Sequence, residues 1–174
     1  LISKILPKNK TKDKSLRFLF KAISLLYLTL LVYFIFAIEF YYPNLRLYLL
    51  YAILVAILSD IGGLIIGKIF KGKKLTKISP NKTISGSIGS FIFSLFLIPF
   101  FYEDLINYSF LILTFITLLI SLISQLGDLF ISLLKRKAKV KDTSDILPGH
   151  GGFLDRIDGI IFAIPIAILL FNIF

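Results

Sequence analysis

Ser109 to Leu134 reads SFLILTFITLLISLISQLGDLFISLL. Its first 19 residues, Ser109 to Gly127, carry no charge, and the run approaches the roughly 20 residues that an α-helix needs to cross a bilayer core. Apolar and polar residues do not alternate as they would in a barrel strand. The stretch therefore predicts a transmembrane helix, whose backbone groups are satisfied internally. Asp128 ends the uncharged run. A carboxylate there costs on the order of 3 kcal/mol on insertion scales, so it requires a partner or water.

Working outward, four more runs read as spans: Phe18 to Phe40, Leu47 to Gly67, Thr83 to Phe101 and Ile157 to Phe174. The fold class is all-α, a polytopic transmembrane bundle of about five spans. With 57% hydrophobic residues and a mean hydropathy of +0.90, the chain lies well outside the range of soluble domains. It has no cysteine, which excludes disulfides and thiolate metal sites. The first apolar run is too long for a signal-peptide core and no small-residue cleavage site follows, so it reads as a retained span. The chain starts at Leu1 and has no methionine, which fits a missing or atypical start.

The net charge of +10 would suggest nucleic acid in a soluble protein, but its placement gives another reading. Of 20 basic residues, seven lie between Lys4 and Lys21, six between Lys68 and Lys82, and five between Lys135 and Lys141. Such clusters beside apolar spans follow the positive-inside rule and attract anionic head groups. The N-terminus is then inside and the C-terminus outside. Tyr41 to Arg46 and Tyr102 to Tyr108 face the far side, and no nucleic-acid partner is expected. Small residues at helical spacing in Ser85-Gly86-Ser87-Ile88-Gly89-Ser90 predict close approach of another helix.

Three groups of residues could carry chemistry. Asp60, Asp128, Asp155 and Asp158 fall at span ends that the topology brings to one membrane face. They either pair with Lys or Arg or hold a hard cation such as Mg²⁺. Asp155 and Asp158, three apart, share a helix face beside Arg156. The basic run Lys135-Arg136-Lys137-Ala138-Lys139-Val140-Lys141-Asp142 precedes Leu147-Pro148-Gly149-His150-Gly151-Gly152. Cations and close-approaching backbone N–H groups suit phosphate, although topology alone also explains a basic loop. His150 could bind phosphate, transfer a proton or order the loop. In Lys77 to Gly86, Ser79 and Pro80 lead into Lys82 and Thr83 at a helix N-terminus, where an anion or a cap would fit.

Together these segments resemble the phosphatidate cytidylyltransferase, or CDP-diacylglycerol synthase, family. The resemblance rests on Ser132-Leu133-Leu134-Lys135-Arg136, Lys141-Asp142 and Pro148-Gly149-His150-Gly151-Gly152-Phe153-Leu154-Asp155-Arg156-Ile157-Asp158. Ser59-Asp60-Ile61-Gly62-Gly63, Gly67-Lys68 and Ser79-Pro80-Asn81-Lys82-Thr83 extend it. Ser85 stands where the family often has Glu, and one span precedes the Asp60 helix where the family usually has several. The likeness divides the chain into residues 1–58, a basic arm, the first span and the start of the second, and residues 59–174, a cytidylyltransferase-like membrane domain.

The resemblance implies CMP transfer from CTP to phosphatidate, giving CDP-diacylglycerol and pyrophosphate at the cytoplasmic face of a bacterial inner membrane. Membrane lipids are then partners, and a homodimer is a compatible assembly. It implies Mg²⁺ on Asp128 and Asp155, with Asp158 or Asp60 helping to hold a second cation of unspecified identity. Lys82, Lys135, Arg136, Lys141 and Arg156 are the implied phosphate contacts. Ser79, Thr83, Asp142, His150, Gly151 and Gly152 complete the expected substrate site, with Asp128, Asp155, Lys135 and Arg156 at the reacting centre. The alternatives are a polyprenol kinase or archaeal-type cytidylyltransferase, a non-catalytic lipid-binding subunit, and a transporter. A transporter would be expected to carry its carboxylates nearer the midplane.

Overall fold

A computed structural model describes residues 44–76, 79, 82–138, 140 and 154–174, with side chains in the last segment from 157 on, and isolated positions between 22 and 40. Five helices lie in the continuous segments: α1 (Leu45–Phe70), α2 (Ile84–Leu95), α3 (Ile98–Phe101), α4 (Phe110–Lys137) and α5 (Leu154–Ile173). Most of the expected first span falls outside the described residues.

Three segments are long and apolar enough to cross a membrane: Leu45–Phe70, Ile84–Phe101 and Phe110–Lys137. Ile157–Ile173 is a shorter apolar helix. The 26 residues of α1 and 28 of α4 extend about 39 and 42 Å at 1.5 Å per residue, which exceeds the roughly 30 Å hydrocarbon core. Both therefore project beyond the apolar slab. Asp60 lies ten residues before Phe70 and Asp128 nine before Lys137, so each stands farther from its helix end than the sequence-derived spans implied.

The expected third span is interrupted. Phe96 and Leu97 donate their backbone N–H groups to Phe93 and Ser94 at 3.2 Å each, tightening the turn, and Pro99 follows in the first turn of α3. Proline has no N–H to continue the α-helical ladder, and it is tolerated where a first turn needs none.

Alternating three- and four-residue spacing selects the buried stripe on α1: Leu45, Tyr48, Ala52, Val55, Ser59 and Gly62. It packs against α4 through Leu113, Ile116 and Ile120, and against α5 through Ala163, Ala167 and Phe171. The core is apolar but crossed by hydroxyl pairs. Tyr51 and Thr117 meet at 2.5 Å and Ser59 and Ser121 at 2.9 Å, both buried. At the end farthest from the lysines, Tyr108 donates to the Phe171 carbonyl at 2.6 Å and meets the Tyr48 hydroxyl at 3.0 Å. Each contact ties together residues at least 60 positions apart.

The small residues of α2 lie against α1, as their spacing predicts. A Cβ on Gly62 would fall 2.5 Å from the Gly89 carbonyl oxygen, and one on Gly89 would fall 2.4 Å from Ile66 Cβ. Neither position has room for a side chain while the helices stay this close. The α1–α2 connection folds back through an isolated antiparallel bridge between Lys74 and Thr83. Leu75 N–H donates to the Lys82 carbonyl at 2.8 Å, and Ile84 N–H to the Lys73 carbonyl at 2.9 Å.

Candidate functional site at the basic end of the bundle

Antiparallel packing brings the C-terminal halves of α1 and α4 beside the N-terminal ends of α2 and α5. A cavity of about 610 Å³ opens among them. Asp60, Gly63, Gly67 and Lys68 from α1 line it, as do Ser87 and Ser90 from α2, Gln125, Asp128 and Lys135 from α4, and Asp158 from α5. Ser79, Lys82 and Thr83 from the folded-back connection complete the wall.

Each side chain is placed by a local device. Thr83 caps α2, its hydroxyl accepting from Gly86 N–H at 3.0 Å. This cap fixes the position of Lys82 immediately before it, and Lys82 N–H donates to the Ser79 carbonyl at 3.1 Å. Ser79 N–H in turn donates to Thr76 Oγ1 at 3.2 Å. The Lys82 ammonium then reaches across the cavity to pair with Asp128 Oδ2. Both side chains are about a quarter exposed, so this is a partly solvated pair rather than a sealed one.

Ser132, one turn beyond Asp128, donates to Asp128 Oδ1 at 3.3 Å. Asp158 is 6% exposed, and its Oδ1 accepts from Gly159 N–H at 2.9 Å. Gly159 itself permits the α4–α5 approach, since a Cβ there would fall 2.5 Å from Ser124 Oγ. Asp158 lies within side-chain hydrogen-bonding reach of Asp128 and within electrostatic reach of Lys135. Asp60 feels both Asp128 and Lys82. Asp128 is thus the hub: two carboxylates and a lysine converge on it from three other elements.

Of the residues singled out from the sequence, Asp60, Ser79, Lys82, Thr83, Asp128, Lys135 and Asp158 line one cavity. Arg136 is exposed on the last turn of α4, off the cavity wall. Asp155 and Arg156 belong to the first turn of α5, but their side chains lie outside the described set. Lys141, Asp142, His150, Gly151 and Gly152 also lie outside the described residues. Among the described residues, no three His, Asp or Glu side chains gather closely enough to form a metal cluster by themselves.

Ser87, Ser90 and Gln125 also line the cavity; the sequence assigns Ser87 and Ser90 to helix packing and does not single out Gln125. A glutamine inside an otherwise apolar span is the signal that could have found them, because an amide in lipid requires partners.

A match to the cytidylyltransferase family extends over residues 1–174. The chain belongs to that family. It is 46% identical over 122 residues to the phosphatidate cytidylyltransferase of Staphylococcus haemolyticus, covering 68% of this chain and 46% of that protein. The Staphylococcus aureus (strain COL) protein of the same name is 47% identical over 122 residues, with the same coverages. That of Bacillus subtilis is 43% identical over 131 residues, 73% of this chain and 48% of the relative. The chain spans about half the length of the curated relatives it matches.

For a cytidylyltransferase the cavity has a legible chemical layout. Cations suited to phosphate stand on the same wall as hard carboxylate oxygens, next to helices that cross lipid.

Proposed function

We propose that this chain carries the reacting centre of a phosphatidate cytidylyltransferase, transferring CMP from CTP to phosphatidate. The observation that supports it is the convergence of Lys82, Lys135, Asp60, Asp128 and Asp158 on one cavity at the basic end of a membrane bundle. Relatives bearing that name are 46% and 43% identical to this chain over 122 and 131 residues.

In this reaction a phosphate oxygen of phosphatidate attacks the α-phosphorus of CTP. A new P–O bond forms, the bond between the α-phosphorus and the bridging oxygen breaks, and pyrophosphate leaves. The nucleophile is already anionic, so the protein need not supply a serine or cysteine. Its work is to align two polyanions and offset their charge. Lys82 and Lys135 face the cavity and supply positive charge for the phosphates. Asp128, held by Ser132 and by the Lys82 ammonium, keeps its orientation between them.

The donor set fits Mg²⁺, which is commonly bound by one or two carboxylates together with substrate phosphates and water. Asp128 and Asp158, within hydrogen-bonding reach of each other, would hold it, joined by Asp155 from the same turn of α5. Bound there, the ion would supply charge stabilisation at the transferring phosphoryl group. A second cation would draw on Asp60. Arg136, Lys141, Asp142, Arg156, His150, Gly151 and Gly152 belong to the proposed CTP and lipid contacts through the loop between α4 and α5.

The functional unit in this reading is residues 59–174. Its boundary with residues 1–58 falls inside α1, so it marks where the motif-bearing segment begins rather than a separate folding unit. In this reading the cavity mouth lies on the cytoplasmic side of a bacterial inner membrane, where CTP is available, and the positive-inside rule supports that orientation.

The test follows the label. Incubated with phosphatidate and Mg²⁺, the purified chain should pass radioactivity from α-labelled CTP into a lipid and none from γ-labelled CTP. Transfer of the γ-label would identify a kinase and overturn the proposal. Absence of transfer to lipid from either label would also overturn it for this chain.

A further inference from the structure

Beside the carboxylates and lysines, the cavity carries a layer of uncharged polar groups that the phosphoryl chemistry leaves unused. Gln125 lies three residues before Asp128 on α4, about 4.5 Å farther from the basic end. It is 8% exposed and held on both sides. Its Oε1 accepts from Ser87 Oγ at 2.5 Å, and its Nε2 lies 3.4 Å from Ser121 Oγ as a donor. An amide nitrogen carries two N–H groups, and only one is directed at Ser121. Ser90, one turn past Ser87, is 4% exposed and lines the cavity, and its hydroxyl makes no hydrogen bond among the described residues. That hydroxyl opens onto the cavity and is available to a ligand acceptor there.

The surroundings decide what kind of acceptor fits. Asp60 borders this layer, because the neighbouring Ser59 hydroxyl meets Ser121. Ser87, Ser90 and Gln125 carry no charge to offset a phosphate, which leaves the anions to Lys82 and Lys135. Leu64 also lines the cavity and is 63% exposed, so the same space reaches the lipid-facing surface of α1. A neutral, acceptor-rich group joined to acyl chains suits such a place.

Resting on the transferase reading above, we infer that Ser87, Ser90 and Gln125 form a subsite for the ester-linked glycerol region of the lipid substrate. The Ser90 O–H and the second Gln125 N–H donate to acyl ester carbonyl oxygens, with Ser87 holding the Gln125 amide in place, while the lipid phosphate stays with the lysines. An ester presents that carbonyl a few bonds from the phosphate, on the acyl-chain side. An ether-linked lipid presents no carbonyl, so it leaves these donors without an acceptor.

The experiment compares binding of dioleoyl phosphatidate and its dialkyl ether counterpart to the full chain in detergent, by native mass spectrometry. The unsubstituted chain should prefer the ester lipid by about five- to tenfold, the effect of one or two neutral hydrogen bonds. Gln125→Leu and Ser90→Ala should each reduce that preference toward unity, by weakening ester binding relative to ether binding. Ser90→Ala removes a single oxygen and keeps the test open if Gln125→Leu does not fold.

Equal binding of both lipids by the unsubstituted chain, or an unchanged preference in both variants, would overturn the subsite. Loss of ester and ether binding together would assign these residues to packing and overturn it too. Turnover of labelled CTP on the same samples separates the two readings. Ester preference without transfer refutes the transferase and leaves the subsite standing, whereas transfer without preference refutes the subsite alone.

Discussion

Replacing Gly89 by alanine adds one methyl group at the tightest point between α1 and α2. Built on the existing backbone, that carbon falls 2.4 Å from Ile66 Cβ and 2.7 Å from the Gly62 carbonyl oxygen. Carbon atoms in contact settle at about 3.5–4.0 Å, so relief requires the helices to part by about 1–1.5 Å. Neither obstacle is the free end of a flexible side chain, so rotamer changes alone cannot make room. Overpacking of this kind costs about 1–3 kcal/mol. The separation also displaces Asp60 on α1 from Lys82 at the foot of α2, and a misplacement of about 1 Å can cost roughly 10²-fold in rate.

The assay pairs thermal unfolding in detergent with conversion of labelled CTP to lipid, using Ile88→Ala as control. Ile88, the adjacent position, is turned outward and 54% exposed, and its replacement should change stability by no more than about 0.5 kcal/mol. Gly89→Ala should unfold earlier and lose most of its turnover. A Gly89→Ala protein as stable and as active as the control would refute the close-packing argument.

Three other outcomes follow from the same geometry. Lys82→Met removes the cation paired with Asp128 and should lower kcat/KM for CTP by about 10²-fold, read from initial rates over a CTP series. Chelation of divalent cations should abolish transfer and added Mg²⁺ restore it, measured by label incorporation into lipid. Lys71 ends α1 with φ of 42°, a left-handed conformation that costs a side-chain-bearing residue, so Lys71→Gly should raise stability by about 0.5–1 kcal/mol in the unfolding assay.

Much of this fold was legible because lipid imposes few choices. Uncharged runs near 20 residues had to become helices, and α1, α2 with α3, and α4 follow the expected spans closely. The close approach of α2 was readable from Gly86 and Gly89, since small residues at helical spacing serve little else in lipid. Its partner was not readable, because Gly62, Gly63 and Gly67 could equally have faced another helix. The break at Phe96 and Leu97 had Pro99 as its signal, but hydropathy averages across such a turn.

For the site, the grouping of Asp60, Asp128 and Asp158 followed from topology, since alternating spans send their marked ends to one face. The Lys82–Asp128 pair did not. It depends on how a 13-residue connection folds back through the Lys74–Thr83 bridge, which is a tertiary matter. Ser87, Ser90 and Gln125 were missed because a hydroxyl or amide in a span reads first as interhelical glue. Only the cavity distinguishes those that line it from Ser59 and Ser121, which bond each other.

The central claim is that the Asp128-centred cavity is where CTP meets phosphatidate. Its most direct test is label transfer from CTP to phosphatidate by the purified chain with Mg²⁺, compared with Asp128→Asn and Asp155→Asn, each checked for folding by thermal unfolding. The account predicts transfer by the unsubstituted chain and a loss of at least about 10²-fold in each folded variant. Undiminished transfer in both would contradict it.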